Sequence, residues 1–430
     1  MFLGEFIHVS KLIAVSPVVD EPPATARQEA PVERQAAPRQ DTAFKPPSSK
    51  GSRIPELDGL RGIAISLVIA YHYFNFHPPM GYQARNWLSQ LYVYFEYSIA
   101  VGWSGVDLFF VLSGFLIGGI LLDARQSPRY FRAFYARRFF RIIPLYYVWM
   151  LLFFATALAL SWTSFAAAAQ FNWSMLPVQL LFLQNIGFVS YGILARPWLS
   201  PTWSLAVEEQ FYLLSPLLIR WLSRKALYIA LISMILAAPL FRLWARGAGF
   251  SFANDLGWGY TLMPSRADGL CLGILAALLW KDPRLRSWLQ QNVGAIRIAA
   301  GVFAAGVVLL VRWSPKFWTL PMQSVGFTWM ALFYFLILLL VLANPAGLLG
   351  SIARVSILRE IGKVSYCLYL IHEVVGLAVQ NGLARLAGPL QPAQVVLAYA
   401  FAAVAAFGIA QLSWKCLERP LLERGQSFKY

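Results

Sequence analysis

Apolar runs long enough to cross a bilayer alternate with short polar segments along almost the whole chain beyond residue 52. Ten such runs are readable, at about 59–77, 98–122, 141–160, 204–222, 226–244, 264–280, 295–312, 325–343, 360–381 and 393–414. A hydrocarbon core about 30 Å thick takes roughly 20 helical residues to cross. Lipid offers no partner to open backbone groups, so helices are the economical solution. The pattern predicts an all-α fold, a polytopic transmembrane helical bundle of about ten spans. A further apolar stretch, Met175 to Phe188, is short for a crossing and is interrupted by Pro177, Gln184 and Asn185. It is read as lying at the outer surface or re-entering.

Charge orients the bundle. Arg125, Arg129, Arg132, Arg137, Arg138 and Arg141 follow the second run, and Arg220, Arg224 and Lys225 follow the fourth. Lys281, Arg284 and Arg286 follow the sixth, Arg354 and Arg359 the eighth, and Lys415, Arg419 and Arg424 the tenth, while Lys50 and Arg53 precede the first. Every even-numbered run therefore ends in basic residues, and the positive-inside rule places those ends and both termini in the cytoplasm. The same distribution explains the formal charge of +16 without a basic stripe of the kind nucleic acid requires.

Composition agrees, with 13% charged residues where soluble proteins carry about a quarter. Residues 1–52, rich in Pro, Ala, Gln and Arg from Asp20 onward, read as a disordered cytoplasmic tail ahead of a membrane domain over 53–422 and a short tail at 423–430. Phe2 to Val19 carries Glu5, His8 and Lys11 and makes a poor signal peptide. Cys271, Cys367 and Cys416 lack metal-ligand spacing and read as packing residues, and no metal site is expected.

Ionisable residues inside lipid are costly, so each is a candidate for function. His72 follows Arg61 by eleven residues, three helical turns, which puts both side chains on one face about 16 Å apart along the axis. Imidazole is the side chain best suited to take and return a proton near neutral pH. His77, beside Pro78 and Pro79, reads as an interfacial residue. Asp107, Glu208, Glu209, Asp268 and His372 come out at a similar depth, implying a polar pocket in the outer half of the bundle. For Asp107, Asp268 and Arg266 the competing reading is an ion pair bracing the helices, and for Glu208 and Glu209 it is capping of a helix N-terminus. Arg138 and Arg141, at i and i+3 in Arg137-Arg138-Phe139-Phe140-Arg141, offer two guanidinium forks to one anion, either a polyphosphate or lipid headgroups.

With these residues in hand the sequence resembles the acyltransferase-3 family of membrane O-acyltransferases. The resemblance runs through Ile54-Pro55-Glu56-Leu57-Asp58-Gly59-Leu60-Arg61-Gly62 to His72, and through Gly105-Val106-Asp107-Leu108-Phe109-Phe110-Val111-Leu112-Ser113-Gly114. It continues in Arg137-Arg138 with Arg141 and Pro144, Pro201-Thr202-Trp203-Ser204-Leu205-Ala206-Val207-Glu208-Glu209-Gln210, Arg266-Ala267-Asp268-Gly269, Gly362-Lys363-Val364-Ser365-Tyr366 to His372, and Glu418-Arg419-Pro420. It implies transfer of an acyl group, most often acetyl, from cytoplasmic acyl-CoA to a hydroxyl of a glycan or glycolipid such as an exopolysaccharide or O-antigen, in the bacterial inner membrane. Acyl-CoA would be a donor substrate rather than a permanently bound cofactor. Arg61 and His72 match the family's Arg and His needed for activity, and the paired arginines, here Arg138 and Arg141 beside Arg137, are associated with the donor. One departure is Glu373, which follows His372 where many members carry Trp or a similar residue. The resemblance ends by residue 422 and implies a stand-alone transferase.

On this reading the arginines hold the CoA phosphates, and His72 either deprotonates the acceptor hydroxyl or carries the acyl group itself. Glu208, or Asp107, would orient the imidazole. The alternative is a transporter or flippase of a small or lipid-linked substrate, which also needs buried charges but usually shows internal repeats that are not apparent here. A membrane glycan polymerase would carry a larger outer loop. Trp162, Trp173, Trp198, Trp203 and Trp258 suit either stacking on sugars or an interfacial belt.

Overall fold

The computed structural model describes residues 54–74, 99–161, 176–191, 198–249, 257–314, 318–388 and 392–430. The chain divides into two units, Met1–Ser52 and Arg53–Tyr430. The expected tail, His77, Trp162 and Trp173 lie outside the described residues. Ten long helices occupy the ten predicted runs: α1 Pro55–Phe74, α2 Gly105–Ala124, α3 Tyr130–Ser161, α4 Thr202–Trp221, α5 Arg224–Gly247, α6 Met263–Lys281, α7 Val293–Trp313, α8 Phe327–Ala343, α9 Ser365–Ala387 and α10 Pro392–Ser413. Among the described residues there is no strand.

Eight of these helices are long and apolar enough by themselves to cross a membrane. The other two, α1 and α4, fall short because they carry Glu56, Asp58 and Arg61, and Glu208, Glu209 and Arg220. Helix α3 starts earlier than the apolar run does: it is 32 residues long, and its first three turns carry the arginine cluster. Arginine is a good helix former, and of this cluster Arg132 is exposed while Arg137, Arg138 and Arg141 are half-buried. The stretch after Met175 makes two short helices, Leu176–Leu180 and Gln184–Tyr191, with Phe182 between them at a positive φ of 56°. Neither is long enough to cross. Their polar groups are absorbed by the bundle: the Tyr146 hydroxyl donates to the Gln179 carbonyl, and the buried Asn185 and Gln184 side chains donate to Thr261 and Thr202 carbonyls.

Two close approaches fix the helices around the site. Gly114 of α2 and Gly273 of α6 face each other where those helices cross, and a side chain at either would run into the other's backbone. Gly362, in the helix Ser356–Lys363, packs on the Asp58 carbonyl of α1, one turn from Arg61. Small residues at helix crossings are the usual device for association in lipid, where exclusion from water does not drive helices together.

Buried charge supplies the second constraint. Arg266 donates to Asp107 at 2.6 Å and Arg242 to Asp268 at 2.9 Å, and all four side chains are buried. Arg242 also donates to the Gln323 and Ser265 carbonyls and to Thr328, which in turn donates to Asp268. The Arg266 guanidinium lies 4.4 Å from the Phe327 ring centroid. The network clamps α2, α5, α6 and α8, so for Asp107, Asp268 and Arg266 the geometry supports the bracing role. Removing one partner leaves a buried charge uncompensated, at a cost on the order of 3–5 kcal/mol. Asp268→Ala should therefore lower the thermal unfolding temperature of the detergent-solubilised protein sharply. Arg224→Ala, which breaks the half-exposed pair with Asp282, should shift it little.

Candidate functional site

Two adjoining cavities lie along α1 and α3, the first also bounded by α2, α4 and α9 and the second by Lys363 and residues 414–426. The inner one, of about 230 Å³, is lined by Arg61, Arg138 and Arg141, by Ser113, Glu208 and Tyr212, and by Tyr369. The outer vestibule, of about 550 Å³, is lined by Asp58, Lys363, Arg419 and Glu423 and again by Arg61 and Arg141. Those two arginines thus belong to both spaces and stand at their boundary. Among the described residues no carboxylate forms an ion pair with Arg61, Arg138 or Arg141. The Arg138 guanidinium faces the Tyr212 ring at 5.4 Å.

Helix geometry explains the choice of arginines. Arg138 and Arg141 are three residues apart on α3 and share a face. Arg137 is turned about 100° away, donates to the Phe428 carbonyl at 2.8 Å and lies 4.7 Å from the Tyr430 ring centroid. It lines neither cavity. The expectation that Arg137 joins the donor arginines is corrected accordingly: it tethers the C-terminal segment.

Glu208 sits in the second turn of α4, beyond the reach of the helix N-terminus, and the capping alternative drops out. Its two oxygens accept from Ser113 at 2.8 Å and Tyr212 at 3.1 Å, so this carboxylate lies on the arginine-lined cavity. The expected contact of Glu208 or Asp107 with His72 is not made. The carboxylate beside His72 is Glu373, whose Oε1 is 3.3 Å from the imidazole Nε2.

His72 and His372 face each other from α1 and α9, with ring centroids 4.9 Å apart. His72 Nδ1 lies 2.9 Å from the Val68 carbonyl and 3.2 Å from His372 Nε2, and His372 Nδ1 lies 2.8 Å from the Tyr369 carbonyl. The Tyr73 hydroxyl donates to the His372 carbonyl at 2.5 Å, tying the helices together at this level. His372 is wholly buried, whereas the His72 side chain keeps 33% of its surface exposed. Neither histidine lines the inner cavity. Tyr369 does, and its ring lies 5.9 Å from that of His372. Its hydroxyl is hydrogen-bonded to Ser204 at 2.6 Å. The cavity and the histidine pair therefore share Tyr369 as a common wall.

Among the described residues one compact group of possible metal donors occurs, His72, His372 and Glu373, with one donor atom from each within 4.8 Å of the others. Of the described tryptophans considered for sugar binding, Trp198 stacks on Trp149 at 4.7 Å and Trp203 packs against Tyr260 at 4.7 Å, while Trp258 is half-buried.

The fold and these residues define a multi-pass membrane protein with a basic cavity beside an imidazole pair. The chain belongs to the acyltransferase-3 family, described as an acyltransferase domain, which matches residues 54–414. It is similar to the peptidoglycan O-acetyltransferase OatA of Listeria monocytogenes, with 29% identity over 392 residues covering 86% of this chain and 56% of the relative. A putative peptidoglycan O-acetyltransferase of Bacillus subtilis, YrhL, is 28% identical over 86% of this chain and 55% of its own length. The O-acetyltransferase OatA of Staphylococcus aureus is 26% identical, covering 86% and 58% respectively. The chain thus spans about half the length of the curated relatives it matches. No solved structure matches it.

Sequence reasoning missed Glu373 as the partner of His72 and Tyr369 as the shared wall. A signal for both was present, since Tyr369 lies three and four residues before His372 and Glu373, helical spacing that puts all three near one face. The tether role of Arg137 is directly testable. Arg137→Ala should speed removal of the last residues by carboxypeptidase in solubilised protein, and Arg138→Ala should leave that rate unchanged.

Proposed function

We propose that the protein transfers an acyl group, acetyl in the first instance, from cytoplasmic acyl-CoA to a hydroxyl of a cell-envelope glycan. In this reading ten helices cross the bacterial inner membrane, both termini are cytoplasmic, and the vestibule opens to the cytoplasm. The observation that carries it is the placement of Arg61, which lines both cavities and lies three turns below His72 on the same helix. CoA is a polyphosphate on a long thioester-bearing arm. Guanidinium groups without carboxylate partners are suited to phosphates, which they bind bidentately. Arg61, Arg138 and Arg141 hold the donor in this proposal, with Lys363 and Arg419, paired to Glu360 and Glu423, at the entrance.

His72 acts as general base. The acceptor O–H gives its proton to the imidazole as its oxygen bonds the thioester carbonyl carbon, the C–S bond breaks, and the proton passes to the CoA sulfur. An acyl-histidine intermediate uses the same atoms in two steps. The relatives' names point to glycans, and to peptidoglycan in particular, while exopolysaccharide and O-antigen present the same hydroxyl chemistry. Glu208, held by Ser113 and Tyr212, lies on the donor cavity and so serves donor placement.

Label from radiolabelled acetyl-CoA should enter glycan in membranes that contain the protein, and His72→Ala should abolish this while the protein remains inserted. Undiminished transfer by that variant would refute the base. A hydrogen bond to a charged group is worth roughly 1.5–3 kcal/mol. Arg138→Ala and Arg141→Ala should therefore each raise the KM for acetyl-CoA about 10- to 100-fold, and a transporter would show no thioester cleavage at all.

A further inference from the structure

The hydrogen-bonding roles around the two histidines follow from their neighbours. The Val68 and Tyr369 carbonyls can only accept, so His72 Nδ1 and His372 Nδ1, 2.9 and 2.8 Å from them, each carry a hydrogen. A neutral imidazole has one N–H, which leaves His372 Nε2 with a lone pair. That lone pair points at His72 Nδ1, 3.2 Å away, and shares the same N–H with Val68. The remaining contact is His72 Nε2 to Glu373 Oε1 at 3.3 Å.

We propose that Glu373 is a positioning residue of His72, holding the ring at its Nε2 edge while His372 holds the opposite edge. This rests on the reading of His72 as the base. A carboxylate beside the ring supplies counter-charge for the imidazolium that forms as the acceptor proton is taken up.

Glu373 is not the sole link between α1 and α9. Helices α1 and α9 are already joined by the Tyr73 hydroxyl on the His372 carbonyl, by Tyr73 packed on Gly376, and by the Tyr73–Tyr399 stack at 4.9 Å. A carboxylate on a membrane-spanning helix is costly, and these contacts do not need it.

The test uses the full chain in membrane vesicles, with radiolabelled acetyl-CoA as donor and vesicle glycan as acceptor. Glu373→Ala should lower kcat about 100-fold with the KM for acetyl-CoA unchanged, the scale of lost general-base assistance. Glu373→Asp should recover to within about tenfold of wild type. A kcat for Glu373→Ala within about threefold of wild type overturns the proposal, as does equal loss in the Ala and Asp variants. Should Glu373→Ala fail to insert, the near-isosteric Glu373→Gln decides: low kcat with normal insertion supports the role, and wild-type kcat removes it. A divalent metal copurifying one-to-one with wild type and absent from Glu373→Gln would assign the carboxylate to ligation and overturn the positioning role. Loss of transfer in His72→Ala with full activity in Glu373→Gln sinks this inference alone, and retained transfer in His72→Ala sinks the base itself.

Discussion

The cost of placing charge in lipid organises this protein. An ionised group at membrane depth has to be paired, hydrogen-bonded or supplied with a polar cavity. Two sets of charges show it. Arg242 pairs with Asp268 and Arg266 with Asp107, and none of the four lines either cavity. Arg61, Arg138 and Arg141 have no ion-paired carboxylate among the described residues and line the cavities instead. The first set holds helices together, and the second holds positive charge available for an anion. Distinguishing them needs the partner list, because residue type and depth are the same in both.

The site itself depends on one helix being continuous. Arg61 and His72 share a face of α1, so the proposed donor end and the proposed base are set at a fixed separation by three turns of hydrogen-bonded backbone. Helix α9 completes both ends, presenting Tyr369 to the cavity and His372 with Glu373 to His72. Short contacts to glycine, at Gly362 below and Gly376 above, let the neighbouring backbones approach α1 closely enough for these side chains to meet.

Much of this was legible in the sequence because lipid imposes length and composition on every span. The ten apolar runs appear as ten helices, and Arg61, Arg138, Arg141 and Glu208 appear on one cavity. What was not legible is pairing across long separations. His72 and Glu373 are 301 positions apart, and nothing local ties Glu373 to α1 rather than to a neighbouring helix. The orienting carboxylate was therefore sought in Glu208 and Asp107, which are committed to Ser113 with Tyr212 and to Arg266. Arg137 was grouped with its neighbours by adjacency, although one residue of helical rotation carries it to the C-terminal segment. Trp198 and Trp203 suited a surface by type, but aromatic neighbours at 4.7 Å take their faces.

The proposal that α1 and α4 cross the membrane draws support from charge as well as from length. If neither crossed, the arginines after α2 would lie on the opposite side from the basic residues after α4, α6, α8 and α10, and the positive-inside rule would fail at its densest cluster. Counting α4 as a crossing brings all five clusters to one side. Arg61, near the start of α1, lines the same vestibule as Arg141, Lys363 and Arg419, which belong to that side. With Arg61 anchored there and His72 three turns further along the helix, α1 runs inward from the basic face, and its charged first turns face a solvated vestibule. The low hydropathy of α1 and α4 is then largely the consequence of carrying the site: Asp58, Arg61 and Glu208 line the cavities, and Glu56 pairs with Arg354.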